Sequence, residues 1–392
     1  MTWRDGIAAA VSMGVVFALA TACAGGTSES PRASAPAVTS TPPPSAFETA
    51  AASFISPSRG WVLGRTGCAD CAGLLMTTDG GDHWAALPPP PAPIGYDTQS
   101  AAAVTNIAFA DAANGFLYGP AMLVTHDGGR SWTREQLPPV PTFSAGAHSF
   151  TIGGGYAYAV TQPSENAPYS LWRTPVTSGR WTRLRLPEGA ATPVTWNGAL
   201  SVYAEGATVV LLRPGFTGPR AGPGQIGQLW LGADGTNWQS RPVPCEPPAG
   251  GGAAVLSVAI GHPDAWLLDC FNNEQSQQEQ NTRHHLFGTA DGGLTWVQLP
   301  DPASHDMPVL LADNGSGHAF LAAEGPADEL RATFDGGRHW QTVLTPAGDF
   351  AAYADLAFLT AETGFVVVAT YNFPEHLYRT DDGGRTWRIL RI

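Results

Sequence analysis

One short phrase recurs along this chain and limits what it can fold into. Thr77-Thr78-Asp79-Gly80-Gly81-Asp82-His83-Trp84 returns as Thr125 to Trp132 (THDGGRSW), Thr289 to Trp296 (TADGGLTW), Thr333 to Trp340 (TFDGGRHW) and Thr380 to Trp387 (TDDGGRTW). Two worn copies fill the gap. Thr174 to Trp181 lacks the Asp, and Asp234-Gly235-Thr236-Asn237-Trp238 is one residue short. The tryptophans at 84, 132, 181, 238, 296, 340 and 387 are spaced by 44 to 58 residues. A period of that length marks an array of one supersecondary unit that cannot bury its apolar face alone.

Each period has the same internal order. The last contains Asp355 to Leu359, a turn ending at Gly364, Phe365 to Ala369, a loop, Leu377 to Thr380, the Asp-Gly-Gly turn, and Thr386 to Leu390. These are four short apolar or alternating segments bounded by turn residues, the pattern of antiparallel strands. The second period repeats it with Ile107 to Phe109, Gly115 to Tyr118, Met122 to Thr125 and Ser131 to Thr133. No segment beyond the N-terminus keeps a helical period. The expectation is an all-β fold, a seven-bladed β-propeller of four-stranded antiparallel blades over residues 48–392. Ring closure should then bring Trp387 against the first blade.

The recurring turn has a mechanical reason. An Asp side chain accepts backbone N–H groups from about two residues on, and the glycines supply the positive φ of a tight hairpin. Trp is large enough to fill the space between neighbouring sheets. The phrase resembles the Asp-box (BNR) repeat, Ser/Thr-x-Asp-x-Gly-x-Thr/Ser-Trp, over roughly residues 50 to 392. That resemblance implies a structural, peripheral role for Asp79, Trp84, Asp127, Trp132, Asp234, Trp238, Asp291, Trp296, Asp335, Trp340, Asp382 and Trp387. It points to no catalytic or metal-binding role for them. The repeat order is most similar to photosystem II stability and assembly factor-like propellers, with sialidase-like propellers as the enzymatic branch.

The N-terminus reads as an export segment. Arg4 precedes an apolar run from Gly6 to Ala22, shorter than a comfortable membrane span, then Cys23. Ala20-Thr21-Ala22-Cys23 resembles a bacterial lipobox with Ala in place of Leu three before the cysteine. A lipoprotein signal over 1–22 lipidated at Cys23 is expected, with simple secretion or an uncleaved anchor as alternatives. Residues 23–47 read as a linker rich in Pro, Ser and Thr. The protein is thus placed outside the cytoplasmic membrane and anchored to its lipid.

Four cysteines remain. In an exported chain Cys68, Cys71, Cys245 and Cys270 suggest disulfides, although four cysteines allow three pairings. Cys68 and Cys71 share a short inter-strand link with no thioredoxin-like unit around it, which favours a local bridge over metal or redox chemistry. Cys245 follows the fourth strand of blade four and Cys270 ends the second strand of blade five. Both should emerge on one face, and a Cys245–Cys270 bridge is expected.

Net charge is −13, and all 20 basic residues are arginines dispersed through the repeats. That argues against a nucleic-acid partner, which needs clustered positive charge. No metal or cofactor is expected, and a monomer is. The long links lie between strands two and three and from strand four to the next blade, all on one face. Binding groups favour such loops on a rigid scaffold. Tyr96, Trp196, Arg220, Arg283 and Tyr371 are the candidate contact residues there, and the polar insert Phe271 to His285 is the largest departure from the repeat.

Two functions compete. A glycoside hydrolase of sialidase-like type would need an arginine triad and a Tyr–Glu nucleophile pair. Ser58-Arg59-Gly60-Trp61 is not the arginine motif of such enzymes, and convergence of Arg65, Arg213, Arg220 and Arg283 is not specified. Tyr203 and Glu205 sit at a turn rather than a site. The preferred reading is a non-catalytic binding or assembly propeller whose ligand is an unidentified protein or glycan.

Overall fold

The computed structural model describes residues 47–392 except 69, 96–99, 141–148, 165–166, 193–199, 214–226, 246–252, 277–278, 326–327, 347–350 and 371–372. Cys23, the export segment and Tyr96, Trp196, Arg220 and Tyr371 lie outside the described residues.

Seven four-stranded antiparallel sheets follow one another in chain order. Blade one is β1 (Phe47–Phe54), β2 (Gly60–Thr66), β3 (Ala72–Thr77) and β4 (Ala85–Ala86); blade two is β5 (Asn106–Phe109), β6 (Gly115–Tyr118), β7 (Met122–Thr125) and β8 (Thr133–Glu135). Blade three is β9 (Phe150–Gly153), β10 (Tyr156–Thr161), β11 (Ser170–Pro175) and β12 (Thr182–Leu184); blade four is β13 (Ser201–Glu205), β14 (Thr208–Arg213), β15 (Gln228–Ala233) and β16 (Thr236–Arg241). Blade five is β17 (Ala253–Val258), β18 (Trp266–Ser276), β19 (Glu279–Thr289) and β20 (Val297–Gln298); blade six is β21 (Met307–Asp313), β22 (Ala319–Glu324), β23 (Leu330–Thr333) and β24 (Gln341–Leu344). Blade seven is β25 (Ala351–Phe358), β26 (Gly364–Thr370), β27 (Phe373–Thr380) and β28 (Arg388–Ile389). This is the expected seven-bladed β-propeller, and β1 takes in Phe47, which composition alone had placed in the linker.

The apolar residues form seven core clusters, one between each pair of successive blades. Sheets stacked around an axis have apolar side chains on both faces, and each face needs a neighbour. Aromatic rings repeat at four of the seams. A second-strand ring meets a first-strand ring of the next blade: Trp61 on Phe109 at 3.7 Å, Phe116 on Phe150 at 5.4 Å, Phe320 on Phe358 at 4.5 Å, Phe365 on Phe54 at 3.6 Å. The tryptophan that ends the recurring phrase then meets the pair edge-on, as Trp132 does Phe109 and Trp84 does Phe54. Such contacts add about 0.5–1.5 kcal/mol per pair beyond area burial.

This geometry corrects the expected place of Trp387. Every such Trp packs toward the preceding blade, so Trp387 meets Phe358 and belongs to the seam of blades six and seven. The seam of blades seven and one is instead built from Ala52, Val62, Leu75 and Trp84 against Phe365, Val367, Leu377 and Leu390. Arg379 crosses it and donates from Nη1 to the carbonyls of Pro57 (2.6 Å) and Gly80 (2.8 Å), while Asp381 fixes its other nitrogens. In six blades the tryptophan also precedes the fourth strand rather than opening it, while Trp238 lies within β16.

The five full turns share one hydrogen-bond set. In blade two, Asp127 Oδ1 accepts from the Thr125 hydroxyl (2.8 Å) and the Ser131 N–H (2.9 Å), and Oδ2 accepts from the Ser131 hydroxyl (2.6 Å). The Gly129 N–H donates to Thr125 Oγ1 (3.0 Å). The carboxylate therefore closes a loop four residues long, not the two-residue turn expected. Its second glycine is required by space as well as by φ. A Cβ on Gly81 (φ 95°) would come within 2.6 Å of Leu390 across the ring seam. Blades one and six use His83 and His339 as the i+4 donor. There burial tends to raise Asp79, but the backbone and imidazole donors of His83 outweigh it and hold the carboxyl at about 2. At Asp234 the pattern is lost. Asp234 and Gly235 both take positive φ (48° and 70°) in a two-residue hairpin, and the Asp234 carbonyl, not its carboxylate, receives Arg173.

Candidate functional site

Alternating strand direction sends the turns described above to one face and the links between second and third strands, and between blades, to the other. The second face is irregular. Its most prominent element is the stretch expected to be a loop insert at Phe271 to His285. It is regular structure: β18 and β19 pair without a break from Trp266↔Thr289 to Ser276↔Glu279. Cys270 consequently lies inside a strand, opposite His285, rather than at its end. Arg283, the one candidate contact residue among those described, sits on this ribbon opposite Asn272 and is exposed.

The base of the ribbon is tied down in three ways. Cys245 and Cys270 are bridged, with Cα atoms 5.5 Å apart, and join blade four to blade five. The Thr282 N–H donates to the His305 carbonyl at 3.0 Å, which brings the link before blade six alongside. The third tie is a buried ion pair, the His284 ring between Asp269 Oδ2 (2.7 Å from Nδ1) and the Asp306 carbonyl (3.1 Å from Nε2). A carboxylate and a carbonyl both accept, so the doubly protonated ring, an imidazolium, satisfies both contacts at once. Burial pushes the His284 pKa down, but the Asp269 charge and the hydrogen bonds outweigh it and leave it raised. With Nε2 occupied, this Asp–His pair has no free nitrogen to act as a general base. It is a strut.

The expected Cys68–Cys71 bridge is also present, with Cα atoms 5.2 Å apart and both cysteines exposed. Its turn helps hold the long link after blade one. The Ile94 N–H reaches the Asp70 carbonyl at 3.3 Å, and buried Ile94 pairs with buried Val104.

The remaining polar groups of this face fall on separate blades. Arg65 lies near Glu48 at 3.9 Å on blade one. Arg213 ends β14 on blade four, buried, and Glu324 on blade six accepts the Tyr353 N–H at 3.0 Å. Burial raises the Glu324 carboxyl above its ordinary value and lifts Asp355, on the innermost strand of blade seven, to about 6. Tyr203 is buried in the seam of blades four and five, and Glu205 accepts the Gly261 N–H at 2.9 Å near the turn face. Among the described residues, then, Arg65, Arg213 and Arg283 stand on blades one, four and five, and Tyr203 and Glu205 lie in a seam and near the turn face. No three His, Cys, Asp or Glu side chains among the described residues lie close enough to hold a metal ion. Sequence reasoning did not single out Asp269, His284 or Gln228. The signal available was a charged or polar residue breaking an apolar strand, as Asp269 does in Trp266 to Phe271.

The Cys245–Cys270 bridge gives a direct test of this anchoring. Its loop spans a sequence separation of 25, for which chain entropy gives about 3 kcal/mol. Cys245→Ser should lower the melting temperature by about 5 °C and speed amide exchange along β18 and β19. The far-ultraviolet circular dichroism should stay unchanged. Equal exchange in wild type and variant would show that the bridge does not hold the ribbon.

No family model matches the chain, and no curated protein matches it. Solved structures do. YCF48 from Cyanidioschyzon merolae is similar at 16% identity and a TM-score of 0.54, covering 86% of this chain and 97% of that one. A prolyl endopeptidase structure matches at 12% identity and a TM-score of 0.52, over 88% of this chain and 49% of that chain. The GH74 enzyme of Niastella koreensis matches at 12% and 0.49, over 87% and 59%. At these identities the likeness is one of fold.

Proposed function

We propose that this chain is an exported Asp-box propeller, anchored to the outer side of the cytoplasmic membrane through Cys23, that binds a protein or glycan on its irregular face without transforming it. The observation that carries the reading is the inequality of the two faces. One repeats the same closed turn in five blades, while the other gathers both disulfides and a ribbon of two eleven-residue strands. A scaffold that spends a disulfide and a buried ion pair on fixing a polar ribbon lowers the entropy cost of binding there. The Asp–His pair supports binding over catalysis because its nitrogens are engaged. The lipobox-like Ala20 to Cys23 supports the anchor, and YCF48 shares the fold alone.

The test is a photo-crosslinking amino acid placed at Arg283 on the ribbon or at Arg338 on the opposite face, in wild-type and Cys23→Ser chains inside the source cells. A discrete adduct from position 283 only, in the membrane fraction and lost with Cys23→Ser, is expected. Adducts of equal yield from both faces, or none from 283, would sink the binding reading. A Cys23→Ser chain that stays in the membrane fraction fully processed would sink the anchor.

A further inference from the structure

The irregular face carries a second feature, on blades three and four. Arg213 is 7% exposed, and its Nη1 donates to the Gly189 carbonyl at 2.9 Å. Its Nε–H, fully shielded from solvent, has no partner. The residue paired with it across β14 and β15 is Gln228, whose shielded Oε1 is also without a partner. Gly189 lies against both: a Cβ there would come within 3.0 Å of Gln228 Oε1. A buried guanidinium normally has a carboxylate, because removing its charge from water costs several kcal/mol. None pairs with Arg213 among the described residues. The segments that adjoin this corner in sequence, 193–199 and 214–226, contain no Asp or Glu, Glu188 beside Gly189 is exposed, and Glu165 of the neighbouring β10–β11 link lies outside the described residues.

We infer that Arg213, with Gln228 and the Gly189 backbone, forms a binding site for a carboxylate group brought by a ligand. The charge selects the ligand class. One guanidinium beside a neutral amide balances a single negative charge, which fits a carboxylate and leaves a phosphate or sulfate dianion half compensated. The donors also suit it. Nε–H donates to one carboxylate oxygen, and a half-turn of the Gln228 amide offers its NH2 to the other. Burial disfavours the charged form of Arg213 when the site is empty, so a bound anion restores what the fold leaves uncompensated. The site shares the face of the proposed function but does not depend on it, since a partner gripped by the blade-five ribbon needs no contact here.

The test uses sodium acetate as the probe, against sodium chloride, sulfate and phosphate at equal ionic strength and pH 7. Acetate at ten times its dissociation constant should raise the wild-type melting temperature by about 2–3 °C relative to chloride, and Arg213→Met should abolish the rise. A shift equal in sulfate or phosphate, or one that survives Arg213→Met, overturns the assignment. Should that variant fail to fold, the wild-type arginine Nε–H resonances decide. One sheltered resonance that moves on titration with acetate and is missing from Arg213→Lys supports the site. A sheltered resonance that acetate leaves unmoved means the polar pair holds only a resident water. The crosslinking result at Arg283 is unaffected either way, so failure here is separable from failure of the proposed function.

Discussion

Removing residues 386–392 is expected to abolish the cooperative unfolding of the whole ring rather than loosen one blade. The segment supplies two seams at once. Trp387 lies against Phe358 between blades six and seven, and Leu390, 4% exposed, lies among Trp84, Leu75 and Phe365 between blades seven and one. Truncating one buried Leu costs about 2–5 kcal/mol and a Trp about 3–5 kcal/mol. Their sum is comparable with the roughly 5–15 kcal/mol that holds a typical domain together. Differential scanning calorimetry should show no native transition in the truncated protein, and Leu390→Ala should keep a single transition at a lower temperature. A truncated protein with the wild-type transition would mean that blade seven does not close the ring.

The Asp269–His284 pair should give the largest single-residue effect. Asp269→Ala leaves an imidazolium buried with only a carbonyl to face, and losing one member of such a pair costs about 3–5 kcal/mol. The pH dependence has a definite sign. The folded pKa of His284 is raised above its unfolded value of about 6.5. The stabilisation is therefore complete below that pH and is lost as pH rises through the folded value. Wild-type stability, followed by urea unfolding from pH 6 upward, should fall across that interval, while His284→Gln should be nearly flat there. Parallel curves for wild type and His284→Gln would show that the ring is neutral in the fold.

How much of this was legible depends on distance along the chain. The blades, the turns and the Cys68–Cys71 bridge are local and repeat, so their signals add up over seven periods. The Cys245–Cys270 pair was reachable because strand alternation alone puts both residues on one face. The direction in which the tryptophans pack was not. The phrase gives a ring's position on its own blade but not which neighbour the sheet twist turns it toward, and Trp387 was assigned to the wrong seam for that reason. The insert reads from sequence as a solvated hairpin tip or a contact loop, and the full length of its strands is not legible because Asn272 to Gln275 and Gln280 to Asn281 lack the apolar alternation by which strands are recognised. Its pairing continues from the buried hairpin below. Arg213 and Gln228 become neighbours only through the hairpin that joins β14 to β15, and the same holds for Asp269 and His284. Each reads in isolation as an ordinary polar residue.

The ring is closed without exchanging a strand. Each blade is one uninterrupted stretch of chain, and among the described residues the sheet of blade seven consists of β25 to β28. The circle is therefore a row of seven beads whose last joint is the same kind of joint as the other six. Opening at the seam between Trp84 and Phe365 then parts two apolar surfaces and breaks the hydrogen bonds that Arg379 makes to the Pro57 and Gly80 carbonyls.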